Sequence, residues 1–311
     1  MRAFFCDHYV LPLPADHRFP MAKYAQLRER VTSLPGITLH EPPAATLDEL
    51  KAAHDAGYVD RAVNGDLSDA EVRRIGFPWS PLMIERSRRS AGATLAAARA
   101  VVDDNDPSSG RVAVNLAGGT HHAGPDFGAG YCVFNDVAVA VRVLMNERRI
   151  ARALIVDLDV HQGDGTAAIL GRDAGVFTLS LHGRNNFPFR KQKSSLDVEL
   201  DDGCGDAEYA AHLDHALGVS FAQADPDVVF FLAGADPYEG DLLGRLRLSK
   251  AGLAARDAAV FAACAAHNVG VVVVMAGGYA KDVSDIVDIH AETVRQAAAL
   301  SARKTKDKTR P

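Results

Sequence analysis

The chain has 311 residues, 48% of them hydrophobic and 24% charged, enough to bury a sizeable core in one or two domains. A formal charge of −6 argues against a broad nucleic-acid footprint, and no apolar run approaches membrane-spanning length. Cys6, Cys132, Cys204 and Cys264 lie far apart with no CxxC pair, which predicts reduced thiols in a cytoplasmic protein.

The opening residues, 1–8, are too short and too polar for a signal peptide. Residues 3–6 read as a short strand, and 10–20 as a loop rich in proline and histidine. A helix is expected over about 21–31. Thr46-Leu47-Asp48-Glu49 has the spacing of a capping box and predicts a second helix reaching about residue 53. His54, Asp55 and Tyr58 carry a polar-aromatic pattern that suits a pocket lining, although the sequence favours a surface position. Ser80-Pro81 supplies an N-cap and a proline at the first helical position, opening a long alanine-rich helix to about residue 102. A polar loop is expected over 103–110.

From Arg111 onward strand and helix alternate. Strands are expected at 112–116, 153–158, 176–181, 228–232 and 270–275, with helices at about 136–146, 166–170, 207–223 and 250–267 and a last one over 282–302. This alternation, without internal repeat, predicts one α/β domain over 1–301: an open, mostly parallel β-sheet with helices on both faces. The end of the chain, 302–311, sets Arg303, Lys304, Lys306, Lys308 and Arg310 against Asp307, a net +4 that leaves −10 on the rest. It reads as a basic, solvated, disordered tail.

Chemistry gathers where the strands end. The first is followed by Gly118-Gly119-Thr120-His121-His122, the second by Asp159 and His161, and the third carries Ser180 near its end. The fourth is followed by Gly234-Ala235-Asp236 and the fifth by Gly277-Gly278-Tyr279. In an open parallel sheet these ends share one edge, where ligands bind. The densest stretch is Ile155-Val156-Asp157-Leu158-Asp159-Val160-His161. In an extended chain Asp157, Asp159 and His161 point one way, and Leu158 and Val160 point back into the core. Two carboxylates and an imidazole there repel each other and lie desolvated unless a cation sits among them. Oxygen and nitrogen ligands without a thiolate suit Zn²⁺ or a similar divalent ion. Gly163 and Gly165 are expected to let the backbone turn sharply away. Alternatives stay open for each piece: an acidic loop with a stray histidine, a local His121-His122 pair, Asp236 as a turn residue, Ser180 as a strand-end hydrogen bonder, Tyr279 as packing.

Together the blocks Gly118-Gly-Thr-His121-His122-Ala, Gly130-Tyr131-Cys-Val-Phe-Asn-Asp136, Asp157-Leu-Asp159-Val-His161-Gln-Gly-Asp164-Gly, Gly234-Ala-Asp236 and Gly277-Gly-Tyr279 resemble zinc-dependent histone deacetylases and related acyl-amide hydrolases. The likeness runs from about residue 17 to 297. The early stretch 11–24 and Phe187-Pro188 resemble bacterial members near the class IV branch. Ala276 stands where a glycine often precedes the Gly-Gly-Tyr, Tyr131 where many members carry Phe, and residues 191–196 lack the usual glycine-rich run.

The resemblance implies a fold of the arginase and deacetylase type and a metal-dependent deacylase, in which a Zn-activated water attacks the amide of an acylated lysine or acylated amine. Asp159, His161 and Asp236 match the ligands of one Zn²⁺ per chain. His122 matches the general base, oriented by Asp164, and His121 its partner, backed by Asp157. Tyr279 matches the oxyanion donor. Asp157, Ser180 and the carbonyls of Asp159, His161 and Leu181 match a structural site for a monovalent cation, usually K⁺. Gly130, Tyr131 and Phe187 match the walls of the substrate channel. Alternatives are a deacetylase of acetylpolyamines, a binuclear ureohydrolase, which would need more carboxylates near Asp236, and a non-catalytic acyl-lysine binding scaffold, which the loss of Tyr279, a histidine or a ligand would favour; none of these is missing. Neither nucleic acid nor membrane is an expected partner, and the sequence leaves oligomeric state open.

Overall fold

Four central strands are apolar without alternation because both of their faces are covered: β3 (Val112–Asn115), β4 (Ala153–Asp157), β7 (Val228–Leu232) and β8 (Gly270–Val274) are buried at every residue. The computed structural model, which describes residues 1–14, 16–103 and 111–308, adds β1 (Arg2–Phe4), β2 (Thr38–His40), β5 (Val176–Gly183) and β6 (Leu196–Leu200). All pairings are parallel, and the eight strands run in the order β2-β1-β3-β8-β7-β4-β5-β6.

Successive residues of each strand serve opposite faces. Ala113, Ile155, Phe230 and Val272 pack with α5 (Pro81–Val102) and α6 (Asp136–Asn146). Val114, Val156, Phe231 and Val273 pack on the other face with α1 (Ala22–Thr32), α8 (Asp206–Ala224), α9 (Lys250–Ala266) and α10 (Val283–Lys308). The result is the expected parallel sheet between two helical layers.

The local signals work as their chemistry predicts. Thr46 and Glu49 form the capping box of α2 (Leu47–Lys51), and Ser80 caps α5 with Pro81 at its first position. Such a cap contributes about 1 kcal/mol. Four elements were not expected from sequence: α3 (Ala56–Asn64), α4 (Asp69–Ile75) and the two edge strands, β2 and β6, the latter with only one fully buried residue in its sequence LDVEL. Helix α10 continues past residue 302 to Lys308, into the stretch expected as a tail. Most of the loop expected at 103–110, and residues 309–311, lie outside the described residues. No helix among the described residues is long and apolar enough to cross a membrane.

The surface position expected for His54 and Tyr58 is overturned: the two are 4% and 0% exposed. The Tyr58 hydroxyl donates to the carbonyl of Val133 at 2.8 Å. His54 Nδ1 meets the carbonyl of Gly124 at 2.8 Å and its Nε2 accepts the Asn135 N–H at 2.9 Å. That pattern requires a neutral ring with its proton on Nδ1. Burial agrees, lowering the His54 pKa to about 4. Both ends of the segment joining His122 to α6 are thereby pinned. Only the exposed Asp55, which caps α3, keeps to the surface.

Candidate active site

The turn after β3 is shaped by Asp136, the first residue of α6. Its carboxylate accepts the N–H groups of Gly119 at 3.0 Å and Thr120 at 2.7 Å, and the Thr94 hydroxyl at 2.5 Å. This clamp sends His121 and His122 toward the loops that follow β4. The latter are held in the same manner. Asp157 accepts the Asp159 N–H at 3.2 Å, Asp159 accepts those of His161 at 2.9 Å and Gly277 at 2.7 Å, and Asp236 accepts that of Val160 at 2.9 Å. Leu158 and Val160 are fully buried in the core, as the alternation predicts.

Gly163 and Gly165 have a different purpose from the expected turn. Neither has a positive φ; a methyl at Gly163 would lie 2.3 Å from Asp157 Oδ2, and one at Gly165 would lie 2.2 Å from the Ala123 carbonyl. They provide room for α7 (Asp164–Leu170) to approach the histidine loop.

Asp159, His161 and Asp236 meet as the sequence indicates. One ligand atom from each lies within 4.8 Å of the others, and all three residues are buried. His161 Nδ1 lies 2.9 Å from Asp159 Oδ1 and 3.2 Å from Asp236 Oδ2. Donors sharing one tetrahedral ion at about 2.0–2.1 Å stand roughly 3.3 Å apart. Asp236 Oδ2 is buried without a hydrogen bond, the condition of an atom made for something other than a proton donor. Gly277 leaves the space beside it: a methyl there would lie 1.9 Å from Asp236 Oδ2 and 2.6 Å from Asp159 Oδ2. The charges ask for the same thing. Burial and the neighbouring Asp159 push Asp236 up to about 7. Burial lowers His161, yet Asp159 and Asp236 overcome it and raise its pKa to about 10. The residues present therefore fit one divalent cation.

Two histidine–carboxylate dyads flank this centre. His121 Nδ1 lies 2.7 Å from Asp157 Oδ2, and its Nε2 is 3.8 Å from Asp159 Oδ1. His122 Nδ1 lies 2.6 Å from Asp164 Oδ1. Burial opposes charge on both rings. For His121 the carboxylates of Asp157 and Asp159 outweigh it and raise the pKa to about 9. For His122 burial and the adjacent His121 outweigh Asp164 and lower the pKa to about 4. Tyr279 completes the group, its ring edge-on to His161 at 6.4 Å between centroids. Burial and the nearby Asp236 and Asp159 push its phenol well above the ordinary value, so it remains a donor.

The group opens into a cavity of about 600 Å³ lined by Gly130, Tyr131 and Phe187, the three expected channel residues, among others. Phe187 stands edge-on to His122 at 4.9 Å. The loop after Phe187 is held without the usual glycine-rich run: Lys191 Nζ donates to the carbonyls of Asn186 at 2.6 Å and Pro188 at 2.7 Å, and Gln162 bridges Gln192 and Asp197. Ala276 has φ +56°, the left-handed region in which a glycine is relaxed. Behind the site, Asp157 and Ser180 are register partners across β4 and β5, both buried, and Leu181 follows. Ser180 Oγ also lies 3.0 Å from His182 Nδ1.

Sequence reasoning missed three supporting groups besides His54. Asp241 accepts the Tyr279 N–H at 2.6 Å and those of Leu243 and Gly244 at 2.8 and 2.9 Å, tying the rim to the tyrosine loop. Lys23, 2% exposed, donates to the Gly278 carbonyl at 3.2 Å. The third is Arg256, taken up below. Asp241 stands five residues beyond Asp236, a spacing that could have marked it; the other two carry no local signal.

A sequence model of the histone deacetylase domain matches residues 17–294. An uncharacterized protein of Picosynechococcus sp. is 39% identical over 292 residues, 93% of this chain and 95% of its own length. The histone deacetylase-like amidohydrolase of Pseudomonas aeruginosa is 31% identical over 294 residues, 87% of this chain and 74% of its own. In fold, the crystal structure of a histone deacetylase homologue from Aquifex aeolicus superposes with a TM-score of 0.81 at 21% identity, covering 98% of this chain and 87% of that one.

Proposed function

This chain belongs to the histone deacetylase family, whose members hydrolyse amide bonds, and from that premise we propose that it removes the acyl group from an acylated lysine or small acylated amine with the help of one Zn²⁺. The observation that carries the reading is the buried Asp159–His161–Asp236 group with its unbonded Asp236 oxygen, set between two histidine dyads and a protonated tyrosine.

These three residues would hold the ion, which when bound lowers the pKa of water from 15.7 toward about 7 and polarises a carbonyl. The rest falls to the side chains. His122, neutral at pH 7, has Nδ1 fixed by Asp164, which leaves Nε2 to take a proton from the attacking water and return it to the leaving amine. His121 stays protonated against Asp157 and lends positive charge. Tyr279 donates a hydrogen bond to the oxyanion as it develops. Tyr131, Phe187 and the backbone at Gly130 wall in the methylene chain. Asp157 and Ser180, with the carbonyls of Asp159, His161 and Leu181, are proposed to hold K⁺; their pairing in register supports it.

The lining of the cavity bears on the substrate. Asp159 is its only carboxylate among the described residues, while Arg18 and Arg245 line it with exposed side chains. Arg245 meets Asp202 at 3.1 Å, but both are largely exposed and such a pair is screened. A polyamine would bring ammonium groups to this surface with no carboxylate to receive them. Acyl-lysine in a neutral or acidic setting fits better. The binuclear reading loses support for a related reason: Glu239, the next carboxylate after Asp236, is exposed, and Asp241 already accepts three backbone N–H groups. The buried thiols of Cys6, Cys132 and Cys204 suit a cytoplasmic setting.

The test is a hydrolysis panel of acyl-lysine peptides with acidic, neutral and basic flanks beside acetylpolyamines, run with and without metal. Turnover of the lysine peptides that is lost on chelation and restored by Zn²⁺ is the expected result. Full turnover by metal-free protein would overturn the reading, and faster hydrolysis of the polyamines would overturn its substrate.

A further inference from the structure

Helix α9 carries a buried arginine that the proposed reaction does not use. The Arg256 side chain is wholly enclosed, and its guanidinium faces the back of the ligand-bearing loops. Nη1 donates to the carbonyl of Gly234 at 2.6 Å and to that of Leu158 at 3.3 Å. Leu158 immediately precedes Asp159, and Gly234 stands two residues before Asp236. One nitrogen thus joins the chains leaving β4 and β7 at the points where each presents a carboxylate.

The arginine is itself fixed. Asp257 Oδ1 receives Nε at 2.9 Å and lies 2.8 Å from Nη2, while Oδ2 accepts the Thr293 hydroxyl of α10 at 2.5 Å. The Phe231 ring lies 5.8 Å from the guanidinium carbon. A buried ion pair of this kind is a poor stability device, since apolar residues of similar volume often do as well or better. What apolar residues cannot supply is a donor shared by two loop carbonyls, or a permanent positive charge behind Asp159 and Asp236.

We infer that Arg256 is a positioning residue for the metal centre, setting the spacing of Asp159 and Asp236 through the backbone carbonyls of Leu158 and Gly234, with Asp257 and Thr293 holding it in place. The inference rests on the reading of Asp159, His161 and Asp236 as metal ligands. It requires no contact between Arg256 and substrate. Its effect is on the readiness of the site to accept an ion, as for other groups that orient ligands from behind.

The deciding protein is the double variant Arg256→Met/Asp257→Leu, which removes both charges and leaves neither partner buried alone. Zn²⁺ affinity is measured by chelator competition, Co²⁺ coordination by its visible absorption, and the fold by thermal unfolding without metal. The expected result is a folded protein whose Zn²⁺ affinity falls about 10- to 100-fold, with an altered Co²⁺ spectrum. A folded double variant with wild-type affinity and spectrum would overturn the role. Should the double variant not fold, Arg256→Lys decides instead. An ammonium group keeps the charge but lacks the rigid fork that Asp257 aligns, so weaker Zn²⁺ binding and a shifted spectrum are expected, and wild-type values for both would overturn the role. Wild-type protein that takes up neither metal would overturn the metal reading itself, an outcome distinct from either.

Discussion

The two histidine–carboxylate dyads look alike and behave as opposites. His121–Asp157 and His122–Asp164 are neighbours in sequence, buried, and joined at 2.7 and 2.6 Å. Yet His121 is raised to about 9 and His122 lowered to about 4. The contact inside each dyad does not explain this. His121 feels a second carboxylate, Asp159, whereas His122 has one carboxylate and a cationic neighbour. A histidine's charge here is set by the count of charges around it, and one charged ring helps keep the other neutral. This arrangement sets a neutral imidazole and a positive charge side by side at neutral pH.

The largest expected effect strikes the carboxylates that lie between the dyads. Gly277→Ala would place a methyl against Asp236 and Asp159, so metal content and turnover should both fall to background. Elemental analysis of the purified variant checks it; a fully metallated, active Gly277→Ala protein would mean that the cation sits elsewhere.

The next separates the dyads directly. His122→Ala should cost on the order of 10²- to 10⁴-fold in kcat, the range of a general base, with metal retained. His121→Ala should cost less. If His121→Ala is the more damaging change, the roles are reversed. Tyr279→Phe, which touches neither dyad, should keep the metal and lose on the order of 10²- to 10³-fold in rate; unchanged turnover would reduce Tyr279 to packing.

The dyads should also tilt stability in opposite directions in metal-free protein. The raised His121 contributes stability that is complete below its ordinary pKa of 6.5 and fades as pH rises through about 9. The lowered His122 works the other way: between about 4 and 6.5 the unfolded chain binds more protons at this residue, so stability falls as pH drops through that window. Urea midpoints of His121→Ala and His122→Ala from pH 4.5 to 9 should therefore lose opposite limbs of the wild-type curve. Parallel curves would show that the dyads carry the same charge.

The smallest effect serves as a control beside them. Ala276→Gly relieves a left-handed alanine, worth about 1–2 kcal/mol, against roughly 0.5–1 kcal/mol of added chain entropy. A change in unfolding free energy within about 1 kcal/mol, with both dyads unaffected, is expected; a larger loss would mean that the alanine methyl supports the histidine loop.

Much of this protein is legible in its sequence, for a reason that can be stated. Covered parallel strands must be continuously apolar, so β4, β7 and β8 stand out as runs, and a site at their ends must interrupt those runs with Asp159, Asp236 and Gly277. The one-sided placement of Asp157, Asp159 and His161 follows from the two-residue period of a strand, and the caps at Thr46 and Ser80 from side chains able to accept the first free N–H groups of a helix. Edge strands such as β6 lack that signature because water covers part of them. Other features belong to the folded chain alone. His54, Tyr58, Lys23 and Arg256 look like surface residues until helices close over them, since burial of a polar group depends on partners such as Gly124, Val133, Gly278 and Gly234 that lie 70, 75, 255 and 22 residues away. The charge of each histidine is decided at the same level. It depends on carboxylates brought within a few ångströms by separate strands, and Coulomb energies follow distance in space, to which position along the chain is blind.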